Sequence, residues 1–225
     1  MWEVREILWQ STPYFLAGLW VTIKISILAL LFGTSFGFAV GLVRAVNVPY
    51  LASALGLYIH LLRATPFLVQ LYIVYFVLPA TGFALLELEA YPAAVIALSI
   101  YTSTYAAEII RAAIEAVPKG QNEAGLSVGM NLAQRMWYVI LPQALKMTIP
   151  PMGGLYVTII KGTSIVSVIG ISELVRVGEN LTMREPQFLL SIYLAVACFY
   201  FIYCYPLLRL AKWAEGKLGH VDVSL

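Results

Sequence analysis

Apolar residues run along this chain in long stretches separated by short polar intervals, and most of the stretches have the length of membrane-crossing helices. Residues 1–13, with Glu3, Arg5, Glu6 and Trp9, form a short amphipathic lead. It lacks the apolar core and small-residue cleavage site that follow the basic start of a signal peptide, so it reads as a retained segment. Residues 14–43 then stay apolar for long enough to cross about 30 Å of hydrocarbon at about 1.5 Å per residue. A turn at Arg44, Asn47 and Pro49 leads into a second span at 50–79, and an acidic linker with Gly82, Glu87 and Glu89 follows. Further spans are expected at 92–116, 135–161 and 187–210. Residues 117–134 make a polar, glycine-punctuated loop, and Ile165 to Glu173 is too short to cross and reads as a short helix or re-entrant piece. The expected class is an all-α integral membrane protein with five transmembrane helices, forming a single transmembrane domain over residues 1–225.

Within the spans, the polar and small residues carry the detail. Gly33, Gly37 and Gly41 recur every four residues and mark one flat stripe where another helix can approach. Lys24 is placed for its amine to reach a headgroup layer. The second span holds His60, Arg63, Thr65-Pro66 and Gln70, so that face is expected to look into the bundle, with a kink where Pro66 removes a backbone hydrogen bond. The fourth span carries Pro150-Pro151 and Gly153-Gly154 and is expected to be interrupted there. Interrupted helices are tolerated at membrane depth where they line protein or a water-filled cavity, which makes this a site candidate.

Composition narrows the function classes. With 225 residues, 61% hydrophobic, 12% charged and a mean hydropathy of +0.84, the chain has too little polar surface for a soluble globule. A net charge of +2 gives nucleic-acid binding no electrostatic support. Cys198 and Cys204 lie in an apolar stretch without metal-ligand spacing and read as inert thiols. The cations matter by position. Arg44, Arg111, Lys119, Arg135, Lys146, Arg209, Lys212 and Lys217 fall on one side of a five-span arrangement, against Arg5, Arg176 and Arg184 on the other. The richer side is the expected cytoplasmic one, which places the N-terminus outside, the C-terminus inside and the 117–134 loop in the cytoplasm.

Candidate chemistry is sparse. Tyr101, Thr104, Tyr105 and Glu108 stand at i, i+3, i+4 and i+7 on one helix face, a line of hydroxyls and a carboxylate that suits a polar zwitterion. For Glu108 the favoured reading is instead an ion pair with Arg111 one turn on; the tyrosines either line a path or bond between helices. Lys161, Thr163 and Ser164 complete the candidate substrate path, with Lys161 attracting a carboxylate or snorkelling. The chain lacks a Gly-x-x-x-x-Gly-Lys-Ser/Thr phosphate loop, so nucleotide hydrolysis is not expected of it. Glu108 and His60 would be the acid/base candidates of a membrane enzyme, but no nucleophile motif or metal-ligand cluster accompanies them.

The stretch EAGLSVGMNLAQRMWYVILP from Glu123 to Pro142 resembles the EAA loop of the membrane subunits of bacterial ATP-binding-cassette importers, through Glu123-Ala124, Gly129 and Val139-x-Leu141-Pro142. Gly125 stands where that motif has a second alanine. Two small residues four apart, Gly125 and Gly129, are expected to let a partner surface approach the backbone. RATPFLVQLYIVYFVLP from Arg63 and AEIIRAAIEAVPKGQNEAGLSVGM from Ala107 are similar to the polar-amino-acid branch of those permeases. The chain has Gly153-Gly154 where relatives usually read Gly-Asn, and Lys161-Gly162-Thr163-Ser164 where they read Lys-Asp-Thr-Ser, so a preference for basic amino acids is not carried over. The resemblance implies a permease subunit that pairs with an identical copy or a paralogue. It also implies two ATPase subunits docking on the loops through Glu123, Ala124, Gly125, Gly129, Leu141 and Pro142, with ATP and Mg2+ held in those partners and no cofactor in this chain. An extracytoplasmic solute-binding protein would deliver the small-molecule substrate, and the bilayer of the bacterial inner membrane would surround the spans. A nucleotide-independent carrier or channel is the competing reading; it leaves the loop without a purpose.

Overall fold

The computed structural model describes residues 2–218, and every regular element among them is helical. Residues 219–225, the end of the expected basic tail, lie outside the described residues. Helix α1, Trp2–Ala45, runs for 44 residues. The amphipathic lead and the first span are therefore one continuous helix, a correction to the boundary expected at residue 14. Pro13 does not end it: only the amide serving the Trp9 carbonyl is lost, and the Thr12 hydroxyl donates to the Leu8 carbonyl at 2.8 Å alongside.

The second span is broken rather than kinked. Helix α2, Leu51–Arg63, and helix α3, Phe67–Tyr72, meet at an elbow, and the segment Phe67–Thr81 departs at 104° from α2. Pro66, extended at ψ 140°, caps α3 and cannot continue α2. The bend survives because Gln70 reaches back across it. Its Nε2 donates to the Leu62 carbonyl at 2.5 Å and to the Thr65 carbonyl at 3.1 Å, satisfying groups the break frees. Among the described residues, four helices are long and apolar enough to cross a membrane, or five if the bent pair counts as one span.

Helix α4, Ala90–Glu115, packs along α1 through the glycine stripe. A Cβ on Gly33 would stand 2.5 Å from Thr102 Cβ, and one on Gly37 would stand 2.6 Å from Ala106 Cβ. The stripe expected from the four-residue repeat is thus the seam between these two helices, and hydrogen at Cα is what the approach requires. Helices α5, Lys119–Ser127, and α6, Leu132–Arg135, form the polar loop, and a π turn over Met136–Ile140 feeds α7, Leu141–Gly162.

Helix α7 runs unbroken through Pro150, Pro151, Gly153 and Gly154, which corrects the expected interruption. Adjacent prolines have a φ compatible with the helix and leave only the Lys146 and Met147 carbonyls without their usual amides. Gly153 serves packing, since a Cβ there would collide with Ala211 of helix α9, Leu189–Leu218, while Gly154 faces open space. A 3-10 turn over Thr163–Ile169, ended by left-handed Gly170, matches the short piece expected near there. Helix α8, Leu174–Arg184, is then wedged between α1 and α9, with Gly18 and Gly178 at its two contacts.

Its N-cap, Glu173, is fully buried and was not singled out by the sequence. One carboxylate oxygen accepts from the Arg176 amide at 2.8 Å and the other from the Tyr200 hydroxyl at 3.0 Å. Burial pushes this carboxyl above the usual range, and the bonds from the Val175 and Arg176 amides and from Tyr200 partly oppose that rise.

Candidate functional site

Two constellations carry the candidate residues. The first is the loop. Helix α5 is short, so its geometry depends on what ties it down. Arg135, at the end of α6, folds back over it: Nε donates to Asn122 Oδ1 at 2.8 Å, and one Nη donates to the Met130 carbonyl at 2.9 Å. Gly125 is buried beneath the Arg135 stem, where a Cβ would stand 2.9 Å from Cγ. Asn131 and Gln134 form a reciprocal cap on α6, each bond 2.9 Å, and Gln143 of α7 donates to Gln121 at 3.1 Å. Gly129 turns the chain between α5 and α6 at φ 79°.

This bracing decides which side of α5 is presented. Glu123 and Ala124 are exposed, and Glu123 has no ion pair or side-chain hydrogen bond among the described residues. Leu126, Val128 and Leu132 follow them at 52%, 73% and 51% exposure, an apolar edge to the same loop. Gly125 and Gly129 do not form the outward pair of small residues expected; one is covered by Arg135 and the other is a turn residue. Leu141 is buried and anchors the loop to the bundle, whereas Pro142 is exposed in the first turn of α7.

The second constellation follows α4. Glu108 bonds Arg111, whose Nη2 approaches at 2.8 Å, as the sequence favoured, and it also pairs with Arg44 of α1. Arg111 in turn reaches Glu115 at 2.6 Å. With both carboxylate oxygens engaged by arginines, Glu108 is structural. His60 lies on the wall of a polar cleft with Arg44, Arg111 and Glu115, and it shares no hydrogen bond with Glu108.

One turn along from Glu108, Tyr105 and Tyr101 join hydroxyls at 3.2 Å, Phe67 packs on Tyr101 at 5.1 Å, and the Arg63 guanidinium sits 4.7 Å above the Tyr105 ring. Thr104 is fully buried and bonds the Tyr101 carbonyl, so it does not share their surface. Thr163 is buried on the Ile160 carbonyl, Ser164 bonds the Lys161 carbonyl, and Lys161 is exposed. No hydrogen bond joins this trio to the tyrosines among the described residues. The residue missed by sequence reasoning as a member of the tyrosine cluster is Arg63; it lies on α2, 42 residues before Tyr105, and no local spacing connects them.

A groove of about 460 Å3 between α1, α7 and α9 has a different character. Its walls are Phe38, Met152, Leu207 and Ala211, and its Thr34 and Tyr156 hydroxyls bond each other at 3.2 Å. A zwitterion would lose its hydration there without compensation.

Comparison with known proteins agrees with the helical architecture. Residues 33–220 match the family model described as the binding-protein-dependent transport system inner membrane component. The chain is 38% identical over 218 residues to the L-cystine transport system permease protein TcyB of Bacillus subtilis (strain 168), covering 96% of this chain and 91% of that one. It is 37% identical over 196 residues to the glutamine transport system permease protein GlnP of Escherichia coli (strain K12), covering 87% and 88%. A crystal structure of an amino acid ABC transporter with histidines superposes with a TM-score of 0.85 at 36% identity, covering 94% of this chain and 97% of that one. An inward-facing MetNI methionine ABC transporter shares the fold, with a TM-score of 0.73 at 18% identity and coverage of 91% and 98%.

Proposed function

We propose that this chain, which belongs to the family of binding-protein-dependent transport system inner membrane components and is a permease subunit of an ATP-binding-cassette importer, conducts a polar amino acid or a compact zwitterion of that class. It is a multi-pass inner-membrane protein. The observation that carries the substrate class is the near full-length similarity to permeases named for cystine and glutamine.

The mechanism we infer assigns the loop to coupling. The exposed face of α5, with Glu123, Ala124 and Leu126, docks in a groove of an ATPase subunit, and the positive-inside distribution supports a cytoplasmic loop, an outside N-terminus and an inside C-terminus. Two such ATPases, holding ATP and Mg2+ between them, grip two permease protomers, an identical pair or this chain with a paralogue. Closure of the ATPases draws the loops together and shifts the protomers between inward-open and outward-open states, which requires that nucleotide bind the two states unequally. The bracing of α5 by Arg135 and Asn122 supports this, because a motion applied to a floppy loop would be absorbed within it. An extracytoplasmic binding protein delivers the solute.

The test is uptake by proteoliposomes holding the permease, its ATPase and its binding protein, against a panel of radiolabelled amino acids. ATP-dependent accumulation of at least one is expected. Counterflow by the permease alone, without nucleotide, would make it a secondary carrier and overturn the reading.

A further inference from the structure

We propose that Arg63, with the hydroxyls of Tyr105 and Tyr101, is a binding site within the membrane for the α-carboxylate of the transported solute; the inference rests on the amino-acid reading above. Tyr105 lies ten residues before the end of α4 at Glu115, about 15 Å along the helix from that end and inside the apolar stretch of this span. Arg63, 4.7 Å above the Tyr105 ring, shares that level. A cation there is costly and is ordinarily paired. Arg44 and Arg111, toward the end of α4, both converge on Glu108, whereas Arg63 has neither an ion pair nor a hydrogen bond among the described residues.

The cluster supplies what a carboxylate needs. Stacking on Tyr105 uses the face of the guanidinium and leaves its N–H edge for a bidentate contact. The Tyr101 and Tyr105 hydroxyls share one bond, so one O–H remains to donate. Neighbouring carboxylate is excluded because Glu108 is held by two other arginines. Position is fixed as well. Arg63 is the last residue of α2, and the next elements are clamped by Gln70 on Leu62 and Thr65 and by Phe67 against Tyr101. Arg63 is exposed on the protomer, so its N–H edge is left uncovered by the described residues of this chain.

The experiment measures retention of a radiolabelled amino-acid mixture by the purified permease–ATPase complex, without binding protein. Native complex is expected to retain label that excess unlabelled amino acids displace and their α-carboxamides do not. Arg63→Gln should reduce retention about tenfold to a hundredfold, as expected for loss of a charge-assisted fork. Tyr105→Phe, which keeps the stacking ring and so preserves folding, should reduce it several-fold, and Arg63→Lys should retain more than Arg63→Gln. Retention by Arg63→Gln equal to native, displacement by carboxamides, or no retained label on the native complex would each overturn the site. Failure of the uptake assay would overturn the amino-acid reading instead, so the two failures are distinguishable.

Discussion

Replacing Gly125 with alanine restores the second alanine of the loop motif, yet the packing predicts that it loosens the loop. The alanine Cβ would stand 2.9 Å from Arg135 Cγ, closer than carbon atoms tolerate, and a tight 3.0 Å from Cδ. Helix α5 gains about 0.8–1 kcal/mol from alanine over glycine. Against this, the Arg135 stem must swing away, and its bonds to Asn122 Oδ1 at 2.8 Å and the Met130 carbonyl at 2.9 Å are strained or lost. Hydrogen bonds from a charged donor contribute about 1.5–3 kcal/mol each, with the lower end apt for a half-buried side chain. Weakening of the two bonds equivalent to the loss of one leaves a net loss of about 0.5–2 kcal/mol, which is a factor of about 2 to 30 in local opening. Amide hydrogen exchange over Lys119–Arg135 reads this directly, as faster exchange at amides such as Met130, which donates to the Gly125 carbonyl at 3.0 Å. Arg135→Ala should expose the same amides, and adding Gly125→Ala to it should then slow exchange, because the obstructing stem is gone. Slower exchange in the single Gly125→Ala variant would refute the claim that Arg135 is pinned over this helix.

Other consequences are equally specific. Glu123→Lys should abolish ATPase recruitment in co-purification while leaving membrane insertion intact, because Glu123 is exposed and holds no ion pair or side-chain hydrogen bond among the described residues; normal recruitment would remove this face from coupling. Gly37→Ala places a Cβ 2.6 Å from Ala106 Cβ and should cost about 1–3 kcal/mol by overpacking, lowering the detergent melting temperature by about 2–12 °C, whereas Gly154→Ala meets open space and should not. Glu173→Gln removes a buried carboxyl whose pKa is raised, so the variant should lose the pH dependence that this group gives the native protein. The native protein should gain on it as pH falls through the raised range and Glu173 takes up its proton; melting curves across pH that stay parallel would contradict this.

Legibility of this structure in the sequence depended on how local each cause was. Gly33, Gly37 and Gly41 announced the α1–α4 seam because their spacing is itself the packing geometry. Glu108 with Arg111 was readable one turn apart, while Arg44, 64 residues away, was not. Pro66 signalled a disturbance but not its size: the 104° elbow depends on a side-chain amide one turn later that takes over the freed carbonyls. Pro150 and Pro151 misled in the opposite direction, because proline geometry is helical and a packed neighbour, Ala211 against Gly153, holds α7 on course. The loop motif identified the exposed Glu123 face, but the outward role expected of Gly125 failed, since nothing in the motif shows that Arg135 returns over it. Glu173 left no pattern, as its partners Arg176 and Tyr200 are an ordinary turn away and 27 residues away.

The unbroken α1 is a rail that three other helices share. Gly33 and Gly37 seat α4 on it, Gly18 and Thr22 seat α8, and Phe15 and Ser26 hold α9 through Phe199 at 5.5 Å and Tyr203 at 2.8 Å. With no break between these contacts, a tilt of the rail is carried to all three neighbours together rather than absorbed between them.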